Sequence, residues 1–294
     1  MAATPKSMPS DTNGASGSAP GKIILMGEHF VVHGTPAIAL PLHNQRVRVE
    51  VMPEASAWHV PAGTAEHIAT LVRILERRPE RLGLSVRSSL PMGAGLGSSA
   101  ALSVALVRAL GISAPDRVRA LAHQLECHTH GTASGVDDTV ATFEQAVWFR
   151  RDEGATRLQQ LAVPRLFVAT VPRTAATREA VRRVGRIRDA HPQWFAERAA
   201  RAATLVDASL QALQQEDLET LGQLMNEAHG LLGQIGVGDP RHDRLAEACL
   251  AAGAYGAKPT GAGLGGALIA VGPPELDLTA VLRSAGAHAV LDCT

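Results

Sequence analysis

The stretch Pro91-Met92-Gly93-Ala94-Gly95-Leu96-Gly97-Ser98-Ser99 places three glycines on alternate positions and closes on two hydroxyl residues. It follows a strand-like segment, 82–88, and runs into an apolar stretch, 98–110, that reads as a buried helix ended by Gly111. A phosphate cradle needs backbone N–H groups turned inward, close approach without Cβ atoms, and a helix N-terminus behind them. Gly93, Gly95 and Gly97 supply the first two, with Ala94, Leu96 and Ser98 between and after them, and the helix supplies the third. A Walker A loop is excluded, because Ser98-Ser99 stands where Lys-Ser or Lys-Thr is required, and the dinucleotide fingerprint fails because it needs glycine at position 98. A mere strand-to-helix turn would not need three alternating glycines and two hydroxyls.

A second run, Gly261-Ala262-Gly263-Leu264-Gly265-Gly266, matches the Gly-x-Gly-x-x-Gly string but leads into a strand, 267–271. The helix that the fingerprint needs is missing, so the run reads as a close-approach loop facing the same ligand. Outward from these loops, strand signals fall at 22–26, 29–33, 37–40 and 46–51, with a hairpin at 146–150 and 157–161. Helical spacing marks 64–77, with Thr64 as N-cap, then 115–128 and 136–142. After residue 165 come a strand (166–171) and arginine- and alanine-rich helices (177–190, 194–214, 218–233), followed by a helix at 243–252. The chain closes as strand (255–259), glycine loop, strand, helix (278–285) and strand (287–291). Strands early, helices amid and a β-loop-β-α-β finish indicate an α+β fold of two lobes, not a doubly wound parallel sheet. We expect a disordered leader at 1–18, rich in Ser, Ala, Thr, Gly and Pro, and domains at 19–165 and 166–294.

With 28 basic and 28 acidic residues in 294, the chain has no basic field for nucleic acid, and no apolar run approaches a membrane span. Cys127, Cys249 and Cys293 lie far apart without metal-ligand spacing and read as reduced thiols of a cytoplasmic protein. The basic residues are almost all arginine. Only Lys6, Lys22 and Lys258 are lysines, and the last two each sit beside a glycine-containing segment. A lysine that survives in such a chain suggests a need for a compact ammonium, with Lys258 the weaker case. The segment Glu126-Cys-His-Thr-His130-Gly-Thr-Ala-Ser134-Gly135-Val-Asp137-Asp138 supplies acids suited to phosphoryl transfer, with Asp138 read as a cap or solvent-facing. His128 and His130 do not match structural zinc spacing.

Together these segments resemble the GHMP kinase superfamily, and within it the mevalonate kinases. The match rests on Ala19-Pro-Gly-Lys22-Ile-Ile-Leu-Met-Gly27-Glu28-His29-Phe-Val-Val-His33-Gly34, on residues 91–101, on His130-Gly-Thr-Ala-Ser-Gly-Val-Asp137, and on Lys258-Pro-Thr followed by the second glycine run. The resemblance implies a ribosomal-protein-S5-like N-terminal lobe and a ferredoxin-like C-terminal lobe with extra helices. It implies ATP as co-substrate and a hydroxy acid, mevalonate, as acceptor, with phosphomevalonate or a non-catalytic ligand-binding relative as the alternatives. Asp137 would be the catalytic carboxylate and Lys22 its partner. Ser99 and Glu126 would hold Mg²⁺ against the β- and γ-phosphates, while residues 93–98 wrap the triphosphate. Glu28, His29, Arg173 and Thr177 would line the substrate side, with Thr174 competing for the role of Thr177, and Gly261 and Ala262 would close over both ligands. The family pattern carries glycine where Leu264 stands and proline where Ala133 stands. Its members are often homodimers.

Overall fold

The computed structural model describes residues 14–52, 57–91, 93–131, 133–175 and 177–293. These residues form two antiparallel sheets with helices packed on them.

The first sheet is organised by β2 (Ala37–Met52), which pairs with β1 (Ser16–Met26) along one edge. On the other edge, Ala37, Ile38 and Ala39 pair with β4 (Val147–Arg150), and Val47 to Met52 pair with β3 (Gly83–Ser88). β4 in turn pairs with β5 (Gly154–Arg157). The two strands expected at 37–40 and 46–51 are therefore one strand, which crosses a register shift opposite Pro20/Gly21, where proline has no N–H to give the ladder. The second hairpin strand lies earlier than the expected 157–161, at Gly154–Arg157. β1 begins at Ser16, so the last three residues of the expected leader belong to the sheet, and residues 1–13 lie outside the described residues.

The valine-rich segment expected as a strand at 29–33 is instead a 3₁₀ turn, Phe30–His33. Gly27 (φ 99°), His29 (φ 61°) and Gly34 (φ 94°) all leave extended geometry, and a Cβ on Gly27 would meet the Pro36 carbonyl oxygen at 2.3 Å. Backbone crowding here overrides β-propensity.

Helices α2 (Ser98–Ala109) and α4 (Val136–Phe143) lie on this sheet, α3 (Pro115–His130) packs on both of them, and α1 (Ala65–Ile74) precedes β3 in the chain. Thr64 precedes α1 without capping it, its hydroxyl donating instead to the Pro61 carbonyl. Helix α2 is apolar on most sides and runs antiparallel along β1. A Cβ on Gly17 would meet the Ala105 carbonyl oxygen at 2.1 Å, and one on Gly97 would meet Lys22 Cγ at 2.8 Å. Glycine at both ends is what lets the helix lie this close.

The second sheet runs β7 (Gly256–Thr260), β8 (Gly266–Val271), β6 (Leu166–Val171), β9 (Ala289–Cys293). Between β6 and β7 come α5 (Thr177–Ala190), α6 (Pro192–Gln214), α7 (Leu218–Gln234) and α8 (Pro240–Ala251), and α9 (Thr279–Ser284) precedes β9. The β-α-β-β-α-β order in an antiparallel sheet is ferredoxin-like, as expected, with the extra helices in the first crossover. The sheets are tied together by the Thr260 hydroxyl, which donates to the Ile24 carbonyl (2.8 Å) and accepts from the Ile24 N–H (3.0 Å). One apolar core runs through both, from Ile23 and Leu25 to Leu221, Met225 and Ile269.

Candidate active site

Gly93, Gly95 and Gly97 take φ values of 71°, 83° and 72°, and the residues between them, Ala94 and Leu96, bury their side chains. The loop is thus anchored by alternate residues while its glycine backbone faces outward. Gly97 is the N-cap of α2, and no side chain caps that terminus, so Ser98, Ser99 and their neighbours present first-turn N–H groups to an anion. The Lys22 N–H donates to the Leu96 carbonyl at 2.9 Å, which fixes β1 against the loop.

Beside this loop Lys22 Nζ lies 3.1 Å from Asp137 Oδ1; the lysine side chain is 7% exposed and the aspartate 37%. Gly135 (φ 89°) turns the chain into α4 and sets Asp137 in its first turn, toward the loop. Asp138, one position on, is buried, contrary to the expected solvent-facing role. Successive helical residues diverge by about 100°, so its Oδ1 meets His123 Nδ1 on α3 at 3.4 Å. Burial pushes the Asp138 carboxyl up, against the pull of His123.

Glu126 is buried on α3 and accepts at Oε1 from the Ser99 hydroxyl (2.8 Å) and the Ser103 hydroxyl (2.9 Å). Its Oε2 lies 3.5 Å from His130 Nε2, which also lies 3.3 Å from Ser99 Oγ. Burial raises the Glu126 carboxyl, and the two serine hydrogen bonds oppose the rise.

Glu28 and His29 do not present open faces. Lys258 Nζ donates to Glu28 Oε1 at 2.5 Å and to the Pro259 carbonyl at 2.7 Å, with side chains 0% and 2% exposed. Burial drives the Glu28 carboxyl up and the Lys258 ammonium down, while each charge opposes the shift of the other. His29 is lowered to about 4 by burial, so it is neutral, and its Nε2–H donates to the Ala262 carbonyl at 2.9 Å. That bond joins the segment after β1 to the second glycine loop.

The two glycine loops come face to face. A Cβ on Gly261 would lie 3.7 Å from the Gly95 carbonyl oxygen, and one on Gly266 would lie 3.3 Å from the Ala94 carbonyl oxygen. The Arg173 guanidinium packs between them: Cβ atoms on Gly95 and Gly266 would meet Nη2 at 2.5 Å and Nε at 3.0 Å. Burial lowers the Arg173 pKa. Leu264, at the position where the resemblance leads one to expect glycine, takes φ 52°. Its carbonyl accepts from both the N–H and the hydroxyl of Thr174, and its N–H donates to the Val237 carbonyl. Thr174 therefore braces the loop. Thr177 opens α5, and its side chain lies outside the described residues.

Family models described as the GHMP kinases N terminal domain and GHMP kinases C terminal match residues 64–145 and 209–290. Over 310 aligned residues the chain is 32% identical to the mevalonate kinase of Pyrococcus horikoshii, with 92% of each chain covered. The chain belongs to the GHMP kinase family. It is 33% identical to the mevalonate kinase of Methanothermobacter thermautotrophicus, covering 92% of this chain and 95% of that one. Its fold is similar to that of L. major mevalonate kinase in complex with R-mevalonate, at TM-score 0.82 and 27% identity over 97% of both chains. Streptococcus pneumoniae phosphomevalonate kinase shares the fold at TM-score 0.72 and 16% identity, over 95% of this chain and 99% of that one.

In this GHMP kinase the donors expected to hold Mg²⁺ fit that ion. Ser99 Oγ and Glu126 Oε1 are hard oxygens 2.8 Å apart, beside the uncapped N-terminus of α2. Among the described residues no three His, Cys, Asp or Glu side chains converge as an all-protein cage. Two members of the arrangement were not selected from sequence. His130 was set aside with the zinc question, although its i,i+4 spacing from Glu126 was a usable signal. The scarcity of lysine points to Lys258 as well as Lys22, and Lys258 is fully buried against Glu28.

Proposed function

We propose that this chain transfers the γ-phosphoryl group of ATP to the primary hydroxyl of mevalonate, giving 5-phosphomevalonate and ADP. The observation that carries the reading is the Lys22–Asp137 pair at the mouth of the glycine cradle, beside the Ser99–Glu126 oxygens. Lys22 holds Asp137 through Oδ1, and the carboxylate orients the acceptor hydroxyl and takes its proton as the new O–P bond forms and the bond to ADP breaks. The same ammonium stabilises charge on the transferring group. Residues 93–98 wrap the triphosphate. Ser99 and Glu126 would hold Mg²⁺, which when bound neutralises phosphate charge. Arg173, set between the two glycine loops, supplies a cation to the acceptor's carboxylate, with Thr177, Gly261 and Ala262 beside it and His29 behind, bonded to the Ala262 carbonyl. Glu28 supports this wall from within, through Lys258.

The division at 165/166 is supported by β5 and β6 belonging to different sheets. It assigns cradle, Lys22 and Asp137 to one domain, and Arg173 and the closing loop to the other. Unpaired Cys127, Cys249 and Cys293 suit a cytoplasmic enzyme. A phosphorylated acceptor would need further cations facing the site. The relatives of 32% and 33% identity are mevalonate kinases, whereas the phosphomevalonate kinase shares only the fold at 16%, which favours mevalonate.

A coupled ADP-release assay with mevalonate, phosphomevalonate, homoserine and galactose tests the reading. Turnover is expected with mevalonate alone. Turnover with phosphomevalonate instead reassigns the acceptor, and ATP binding without turnover on any alcohol removes the kinase assignment.

A further inference from the structure

Far from the cradle, a single carboxylate gathers two guanidinium groups. Glu144 is the C-cap of α4 and sits in the left-handed region, φ 55° and ψ 36°, where a side chain other than glycine's is strained. Its carboxylate receives Arg46 in a two-bond fork, Nη1 to Oε2 at 2.8 Å and Nη2 to Oε1 at 2.9 Å, and Arg108 Nη1 at 2.9 Å. Arg46 Nε also donates to the Ser18 hydroxyl at 2.9 Å, and Arg108 donates to the Ser18 and Thr142 carbonyls. Forked guanidinium–carboxylate pairs are among the more directional contacts available to a protein. All three side chains are about 70% buried, which limits solvent screening.

The elements that meet here are the ones that carry the reaction centre at their other ends. Ser18 and Lys22 lie on β1. Arg108 is in the last turn of α2, whose first turn holds Ser98 and Ser99. Glu144 ends α4, whose first turn holds Asp137. The close packing of α2 on β1, with Gly17 at one end and Gly97 at the other, joins the two ends of this assembly through one continuous contact. Helix α4 has only eight residues, too short to hold its own position, and its N-cap, Gly135, brings no side chain; only the Ser134 hydroxyl accepts from the Val136 N–H, at 3.4 Å.

Resting on the kinase reading above, we infer that Glu144 is a positioning residue, whose bonds to Arg46 and Arg108 set the placement of Asp137 against Lys22 and the cradle. Strain at Glu144 persists because glycine, which would relax the backbone, would release all three elements. Displacements of about 1 Å at a reacting group reduce rate by about 100-fold, so a partial release should be read in kcat before it is read in binding.

The test uses the full chain, with ADP release on mevalonate and thermal melts run side by side. Glu144→Gly removes the carboxylate and relaxes the strained backbone; Glu144→Gln keeps the size and removes the charge. In both, kcat is expected to fall about tenfold or more while KM for ATP and for mevalonate stays within about twofold. The melting temperature of both variants should fall, because two half-buried guanidiniums lose their carboxylate, so kcat is taken per folded molecule, and Glu144→Asp should recover part of the rate. An unchanged kcat in the Gly and Gln variants, or a loss that only follows the unfolded fraction, overturns the inference. Failure of the wild-type chain to turn over mevalonate is a different result, and counts against the acceptor assignment.

Discussion

Both lysines among the described residues form carboxylate pairs, and the two pairs differ in exposure. Lys22 meets Asp137 at 3.1 Å with the carboxylate 37% exposed, whereas Lys258 meets Glu28 at 2.5 Å with both side chains 2% exposed or less. The groups are the same and the surroundings decide their use. Asp137 can exchange solvent for a substrate hydroxyl without losing its lysine. Glu28 faces no solvent, so its pair can only join the end of β1 to β7 and, through His29 and Ala262, steady the closing loop. Desolvation makes that union conditional: each charge is tolerated only while the other is present.

Removing the open carboxylate should have the largest effect. Asp137→Asn is expected to lower kcat by about 10⁴-fold, the upper range for a positioned acid–base group, while ATP still binds; ADP release and nucleotide titration measure the two. Wild-type turnover in that variant would sink the catalytic assignment. Removing one member of the buried pair should act on stability instead. Lys258→Met leaves Glu28 uncompensated and should cost about 4 kcal/mol, measured by chemical denaturation. A second change, Glu28→Leu, should return most of that loss, since the penalty belongs to the unpaired charge.

Acid should separate the two regions further. Burial lowers His29 from 6.5 to about 4, so the unfolded chain takes up the proton first as pH falls. The stabilisation is therefore complete above pH 6.5, declines as pH drops toward 4, and amounts to about 3 kcal/mol. Buried His242 is also lowered to about 4 by its burial, and His33 and His67 are lowered too, so His29→Asn should remove part of the slope in a denaturation series across that window. A slope unchanged by that substitution breaks the assignment. The smallest effect is expected at Ser99, where Ser99→Ala leaves Glu126 and Ser103 in place. The Mg²⁺ requirement of the reaction should rise about tenfold, read from a Mg²⁺ titration of turnover.

The sequence by itself determined the cradle, because alternating glycines at positive φ and the apolar helix behind them are local demands that local composition can state. It also determined the order of elements in the second sheet, where strands and helices follow simple periods, and it put forward Lys22, Ser99, Glu126 and Asp137 as candidates, which the fold brings together as two pairs. The 3₁₀ turn at Phe30–His33 was decided by tertiary structure, since the close approach of Gly27 to Pro36 overrides a run that reads as strand. The same holds for the burial of Asp138 against His123 and for the Glu28–Lys258 pair, whose members stand 230 positions apart. The three-way junction at Glu144 needs β1, β2 and α2 to meet the end of α4. Desolvation depends on what packs around a charge, and only the folded chain brings those neighbours together.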